Sequence, residues 1–142
     1  MDYSGLLKRN KLRVTPQRLA ILDYIMSTKA HPTAENIFGE LIKAYPSLSL
    51  ATVYKTLDTL RNEGVIQGFN LGEESKRYDG NIDPHAHFKC VSCKLIMDID
   101  MPHALGDMCD EVSDTSGLDI ISQEVFFYGH CSKCKPKALA TK

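Results

Sequence analysis

Apolar positions along the chain follow two periods. Through residue 64 they recur at helical spacing, and Thr15-Pro16 reads as a helix start, with Thr as N-cap and Pro at the first helical position. Leu19, Leu22, Ile25 and Met26 then return on one face. Thr33 can cap a second helix with the stripe Ile37, Phe38, Leu41 and Ile42, and Pro46 breaks that pattern. Ser49 can cap a third, with Val53, Leu57 and Leu60 inward and Gly64 as its stop. Residues 65–69 and 75–78 read as short strands flanking a turn-like stretch, 70–74. Helices followed by a hairpin make a winged helix-turn-helix, a common DNA-binding build.

The period changes after the Gly- and Pro-containing stretch 80–84, which reads as a hinge. Residues 87–91 and 95–99 look like strands, 102–112 like a helix closed by a loop at 113–117, and 120–128 like a third long strand. The expected class is α+β: a winged-helix DNA-binding domain over 1–79, the hinge 80–84, and an α/β dimerisation and metal-binding domain over 85–142. About 60 residues is marginal for an independent core, so a metal staple or a partner is expected there. The tail 135–142 is expected to fray.

Composition narrows the class. Hydrophobic residues make up 43% and charged residues 25% of 142, which is globular composition. No apolar run approaches the roughly 18 residues of a membrane span, and residues 1–10 lack a secretory signal pattern. The expectation is a cytoplasmic protein with reduced thiols, in which five cysteines suggest metal more than disulfides. Residues 1–78 carry 11 Lys+Arg against 8 Asp+Glu, and residues 79–142 carry 6 against 10. A mildly basic first half suits nucleic acid and an acidic second half suits cations, although plain surface variation gives such a split too.

The sharpest chemistry is a pair of Cys-x-x-Cys turns, Cys90/Cys93 and Cys131/Cys134, separated by 37 residues. Each turn lets two thiolates converge, and two turns complete a tetrahedral site for structural Zn²⁺. The ion would tie the start of the second half to its end, and its binding energy would become folding energy. A redox Cys-x-x-Cys is the competing reading, but such motifs normally come singly. Cys109, the odd one out, reads as a buried apolar thiol on the helix.

A second cluster lies in Tyr78-Asp79-Gly-Asn-Ile-Asp-Pro-His85-Ala-His87. His85 and His87 alternate on a strand and face one side, Asp79 precedes them, and Asp98 on the following strand can pair across. Imidazoles plus carboxylates suit Fe²⁺, Mn²⁺ or Zn²⁺. A histidine pair on a strand is also often structural, and aspartate is a common surface residue.

The chain resembles the ferric uptake regulator family, through Arg13-Val-Thr-Pro-Gln-Arg18, His31-Pro-Thr-Ala, Ala51-Thr-Val-Tyr54 and Tyr128-Gly-His-Cys131. These motifs stand in order across nearly the whole chain. The resemblance implies a regulatory metal held by five side chains, matching His31, Asp79, His85, His87 and Asp98 here. His31 enters through the resemblance alone; by itself it reads as a histidine flanking a helix. It belongs to the first half, Asp79 to the hinge and the other three to the second half, so a metal reaching all five would clamp the halves and favour DNA binding. Asp98 stands where iron-sensing relatives usually carry Glu and peroxide sensors carry Asp. A further site of some iron sensors maps to Pro84, Ala86 and Gln123, none a good ligand, while His103 and His130 read as surface or structural residues. The resemblance therefore points to the peroxide-sensing branch: Fe²⁺ in the site, peroxide oxidising the ring of His31 or His85, and loss of repression. Mn²⁺ could hold the same site without that chemistry. The protein would be consumed rather than turned over, so it is not expected to be an enzyme.

On the helix from Ser49, Ala51, Tyr54, Lys55 and Asp58 share a face away from the core. Ala and Tyr can touch thymine methyls and Lys55 can reach guanine or phosphate, with Thr52 at the helix start suited to the major groove. By resemblance, Tyr54 and Lys55 face bases, Arg13 enters an AT-rich minor groove, and Arg18 with the wing residues Lys76 and Arg77 contacts backbone. A homodimer on an AT-rich palindromic operator in double-stranded DNA is expected, with 120–128 as interface. The alternatives are an iron- or zinc-responsive uptake repressor of the same family, a metallohydrolase using the His/Asp site, and a zinc-stapled interaction module without a DNA role. The hydrolase lacks an apparent nucleophile or separate base.

Overall fold

The computed structural model describes residues 2–72 and 75–135. The tail 136–142 and the tip of the 70–74 turn lie outside them. The chain forms two compact units, 1–82 and 83–142.

The first unit opens with α1 (Tyr3–Arg9), an element with no strong periodic signal. Then follow α2 (Pro16–Ser27), α3 (Ala34–Leu41) and α4 (Leu50–Asn62). Each of these three starts where a hydroxyl side chain accepts from the N3 backbone N–H: Thr15 from Arg18, Thr33 from Asn36 and Ser49 from Thr52. At Thr33 the Asn36 side chain returns the bond, completing a capping box. Helix α4 ends as expected at Gly64, whose φ of +73° suits glycine. The Val65 N–H reaches the Leu60 carbonyl and the Gly64 N–H that of Arg61, a Schellman closure. The hairpin pairs β1 (Gln67–Phe69) with β2 (Arg77–Asp79), antiparallel. Val65 and Ile66, expected in the first strand, precede it and pack into the core. Asp79, expected in the hinge, is the last residue of β2, opposite Gln67.

The second unit holds β3 (Ala86–Cys90), β4 (Ile96–Ile99), α5 (Pro102–Ser116) and β5 (Phe126–Gly129). The sheet order is β4-β3-β5, antiparallel between β3 and β4 and parallel between β3 and β5. A parallel neighbour needs a crossover, and α5 lies in it. The expected long strand 120–128 is corrected: only its end pairs, and 117–125 has no regular structure. The strand bonds only β3 among the described residues, and Ile121 is 93% exposed. A ladder extends only as far as a partner strand accompanies it. Helix α5 runs past its expected end to Ser116, where Gly117 at φ +71° stops it.

The units differ in how they cohere. The first buries Leu7, Ile21, Leu22, Ile25, Ile37, Val53, Leu57, Leu60 and Ile66 at 2% exposure or less. At about 1.5–3 kcal/mol per large aliphatic side chain, that core is substantial. In the second, Leu105 is the one described large aliphatic side chain so deeply buried. Its other buried residues are Ala86 and the potential metal ligands His85, His87, Cys90 and Cys131.

Candidate metal centres and nucleic-acid face

Cys90 ends β3, Cys93 follows in the turn before β4, and Cys131 and Cys134 lie in the turn after β5. Because β3 and β5 run parallel with Cys90 opposite Gly129, both turns emerge at one end of the sheet. All four sulfurs lie within 4.8 Å of one another, with Cys93 Sγ 3.7 Å from Cys131 Sγ. The Cys90 sulfur accepts from the backbone N–H of Cys93 at 3.5 Å and of Cys131 at 3.4 Å, which lowers the Cys90 thiol to about 5. Cys131 is lowered too, first by the Cys134 N–H, whereas Cys134 is pushed up to about 12, first by the side chain of Cys131. Such a cluster favours some thiolates and retains protons on others. A divalent soft-to-borderline cation can replace those protons, and four thiolates at this spacing fit Zn²⁺. Cys109, expected buried, is partly exposed on α5.

Two further constellations occur, one in each unit. In the first unit, His31 Nε2 lies 3.5 Å from Asp79 Oδ2, with both side chains buried. His31 precedes the Thr33 cap of α3 in left-handed backbone, φ +53°. Its ring meets the Phe69 ring edge-on at 5.8 Å, and its carbonyl accepts from the Arg77 guanidinium at 3.1 Å. Arg77, the wing residue expected at DNA backbone, thus also binds main chain within its own unit.

In the second unit, His85 precedes β3 and His87 lies within it, directly opposite Asp98 on β4. Asp98 Oδ1 is 3.6 Å from His85 Nε2 and 3.5 Å from His87 Nε2. The two Nε2 atoms are 3.1 Å apart. His85 Nδ1 lies 2.6 Å from the Asp83 carbonyl, which can only accept, so Nδ1 carries a proton and, in the neutral ring, Nε2 is the nitrogen that can coordinate. The His87 ring stacks on Phe126 at 5.7 Å. Two imidazole nitrogens and a carboxylate oxygen converging in a buried place call for a proton or a cation among them. This donor set fits Fe²⁺, Mn²⁺ or Zn²⁺.

The DNA-contact candidates lie in the first unit. Tyr54, Lys55 and Ala51 share the exposed side of α4, opposite Val53, Leu57 and Leu60. Thr52 Oγ1 is 2.8 Å from Ser49 Oγ at the helix start. Arg13 is exposed, and the partly exposed Arg18 guanidinium donates to the Arg13 carbonyl at 2.8 Å. The Tyr54 hydroxyl donates to the Glu35 carboxylate on α3. Sequence reasoning did not find Glu35, since nothing in its spacing links it to a residue 19 positions on. The support that Phe69, Phe126 and Arg77 give to the histidines was not foreseen either, because aromatic and guanidinium support of a ligand carries no sequence period.

A winged helix followed by a small α/β unit stapled by thiolates and bearing a histidine–carboxylate cluster defines a metal-responsive DNA-binding regulator. The sequence profile described as the ferric uptake regulator family matches residues 9–128. The Transcriptional regulator PerR of Clostridium acetobutylicum is 44% identical over 137 residues, covering 96% of this chain and 99% of that protein. The Peroxide operon regulator of Bacillus subtilis is 34% identical, covering 92% of this chain and 90% of its own. Among solved structures, a Campylobacter jejuni peroxide stress regulator is 32% identical, with a TM-score of 0.75, covering 94% of this chain and all of that one. The chain belongs to the ferric uptake regulator family. No helix among the described residues is long and apolar enough to cross a membrane.

Proposed function

We propose that this regulator is a peroxide-responsive repressor whose regulatory ion, Fe²⁺ or Mn²⁺, takes its ligands from His31, Asp79, His85, His87 and Asp98. The observation that carries this reading is the convergence of His85, His87 and Asp98, with Asp rather than Glu at the shared carboxylate position. The buried pair His31 and Asp79 supplies the rest of the ligand set. The relatives named for peroxide response support the branch. The domain limits that go with this function are 1–79 for DNA binding, 80–84 for the hinge and 85–142 for dimerisation and metal binding.

Fe²⁺ held by these five side chains would supply the reducing electron for cleavage of the peroxide O–O bond. The chain's own part is to hold the rings of His31 and His85 within reach of that chemistry. A ring that gains oxygen becomes a poorer donor, the preference for the DNA-binding conformation is lost, and the operator is released. Zn²⁺ in the Cys90, Cys93, Cys131 and Cys134 cluster braces the second unit and takes no part in sensing. Arg13, Arg18, Thr52, Tyr54 and Lys55 contact an AT-rich palindromic operator, and two copies of the chain associate through 120–128.

Peroxide treatment of the Fe²⁺ form followed by peptide mass spectrometry tests this. The expected outcome is a gain of one oxygen, about 16 Da, on the peptide containing His31 or His85, and none on the Mn²⁺ form. Unmodified histidines together with Fe²⁺-dependent DNA binding would transfer the protein to the iron-responsive uptake repressors.

A further inference from the structure

Strand β2 carries two side chains toward one histidine. Alternate residues of a strand share a face, so Arg77 and Asp79 lie together while the buried Tyr78 points the other way. Arg77 donates to the His31 carbonyl at 3.1 Å, and Asp79 Oδ2 lies 3.5 Å from His31 Nε2. The strand thus grips His31 at both ends, main chain and ring. Two backbone contacts extend the grip: the Tyr78 N–H donates to the Pro32 carbonyl at 3.0 Å, and Thr33 bridges Arg77 in antiparallel sense. Phe69, opposite Arg77 on β1, closes the ring's edge.

His31 needs such support. Left-handed backbone is unfavourable for a residue with a Cβ and persists where the surroundings over-determine it. Free of that conformation, the 28–33 connection would direct the imidazole elsewhere.

We propose that Arg77 is a positioning residue of the regulatory metal site, locking the His31 backbone so that its imidazole faces Asp79 before an ion arrives. This rests on the reading that His31 and Asp79 are regulatory ligands. The wing that Arg77 belongs to is then fastened to the same histidine that senses the ion. In this role Arg77 acts through His31, as a donor to its carbonyl.

The test is Mn²⁺ titration of the zinc-loaded full chain, with free Mn²⁺ read by electron paramagnetic resonance. Loss of a supporting partner behind a ligand typically lowers affinity 10- to 100-fold, so Arg77→Ala is expected to weaken Mn²⁺ binding by about 10-fold or more. Arg77→Lys, which can still donate to the carbonyl, should recover part of the loss. In a His31→Ala background, Arg77→Ala should add nothing. Wild-type affinity in Arg77→Ala, or an undiminished loss in the His31→Ala background, overturns the proposal while leaving the regulatory site standing. A wild-type chain that binds no Mn²⁺ overturns both. Should His31→Ala abolish binding, or Arg77→Ala lower the melting temperature sharply, Arg77→Lys decides: partial recovery supports the role, and no recovery overturns it.

Discussion

Tyr54 reaches from the exposed side of the third capped helix to Glu35 at the start of the second, and the bond moves both groups. The Tyr54 hydroxyl donates to the carboxylate, which lowers Glu35 below its ordinary 4.5 and raises Tyr54 above its ordinary 10.0. For Glu35, a depressed acid, the stabilisation is present above 4.5 and lost as pH falls through its lowered value. For Tyr54, a raised group, it is present below 10.0 and lost as pH rises through its raised value. The link therefore stands across neutral pH. Glu35→Gln should return the Tyr54 titration toward 10.0, measured by NMR of ring-labelled tyrosine. It should also loosen the ring proposed to face DNA, read as weaker discrimination between operators differing at one thymine. An unmoved Tyr54 titration would show that the bond is not formed in solution. At this scale the sequence was uneven. Tyr54 stood out because its helical position argued against the core, whereas Glu35 has no pattern of its own.

Whole elements were more legible, because caps are local. Thr15, Thr33 and Ser49 each begin the helix expected of them, and Gly64 ends the third with the left-handed backbone that glycine tolerates best. Ser49 does two things at once. It caps α4 and holds Thr52 Oγ1 at 2.8 Å, at the end of the helix proposed to enter the major groove. Ser49→Ala is expected to cost about 1 kcal/mol in urea denaturation. DNA affinity should fall by more than that stability loss explains, since Thr52 loses its orientation; an affinity at the wild-type value would remove Thr52 from the contact set. Strands were harder to delimit than helices. Residues 120–125 carry the composition of a strand but find no partner in the chain's described residues, and β-structure exists only where another strand accepts its hydrogen bonds.

At the level of the molecule, the second unit leaves Val91, Leu95, Met97, Met108, Val112, Leu118, Ile121, Phe127 and Tyr128 exposed, with Ile121 at 93%. So much uncovered apolar surface on a unit with so small a core is the mark of an association surface. Under the proposed dimer, Ile121→Asp should shift the protein from twice the chain mass to the chain mass in sedimentation equilibrium, because a carboxylate would be stranded in the interface. DNA binding should fall with it, since one half-site contact is lost per dimer. A variant that sediments like the wild type would move the interface elsewhere.

The sequence alone determined what is encoded within a few residues. The capped starts of the helices, the pairing of two thiols within each Cys-x-x-Cys turn and the His-x-His alternation all follow from local geometry, and spaced motifs carried the family. Tertiary structure decided whatever joins distant residues without a period. It set Asp98 opposite His87 through strand register, and it made a parallel neighbour of β5, so that two cysteine turns meet at one end of a sheet. It also bent Arg77 back onto a histidine 46 positions earlier. Capping and turn chemistry operate over three or four residues and leave a signature in the chain. Register and side-chain support depend on which surfaces the packed core brings together, and no local pattern records that.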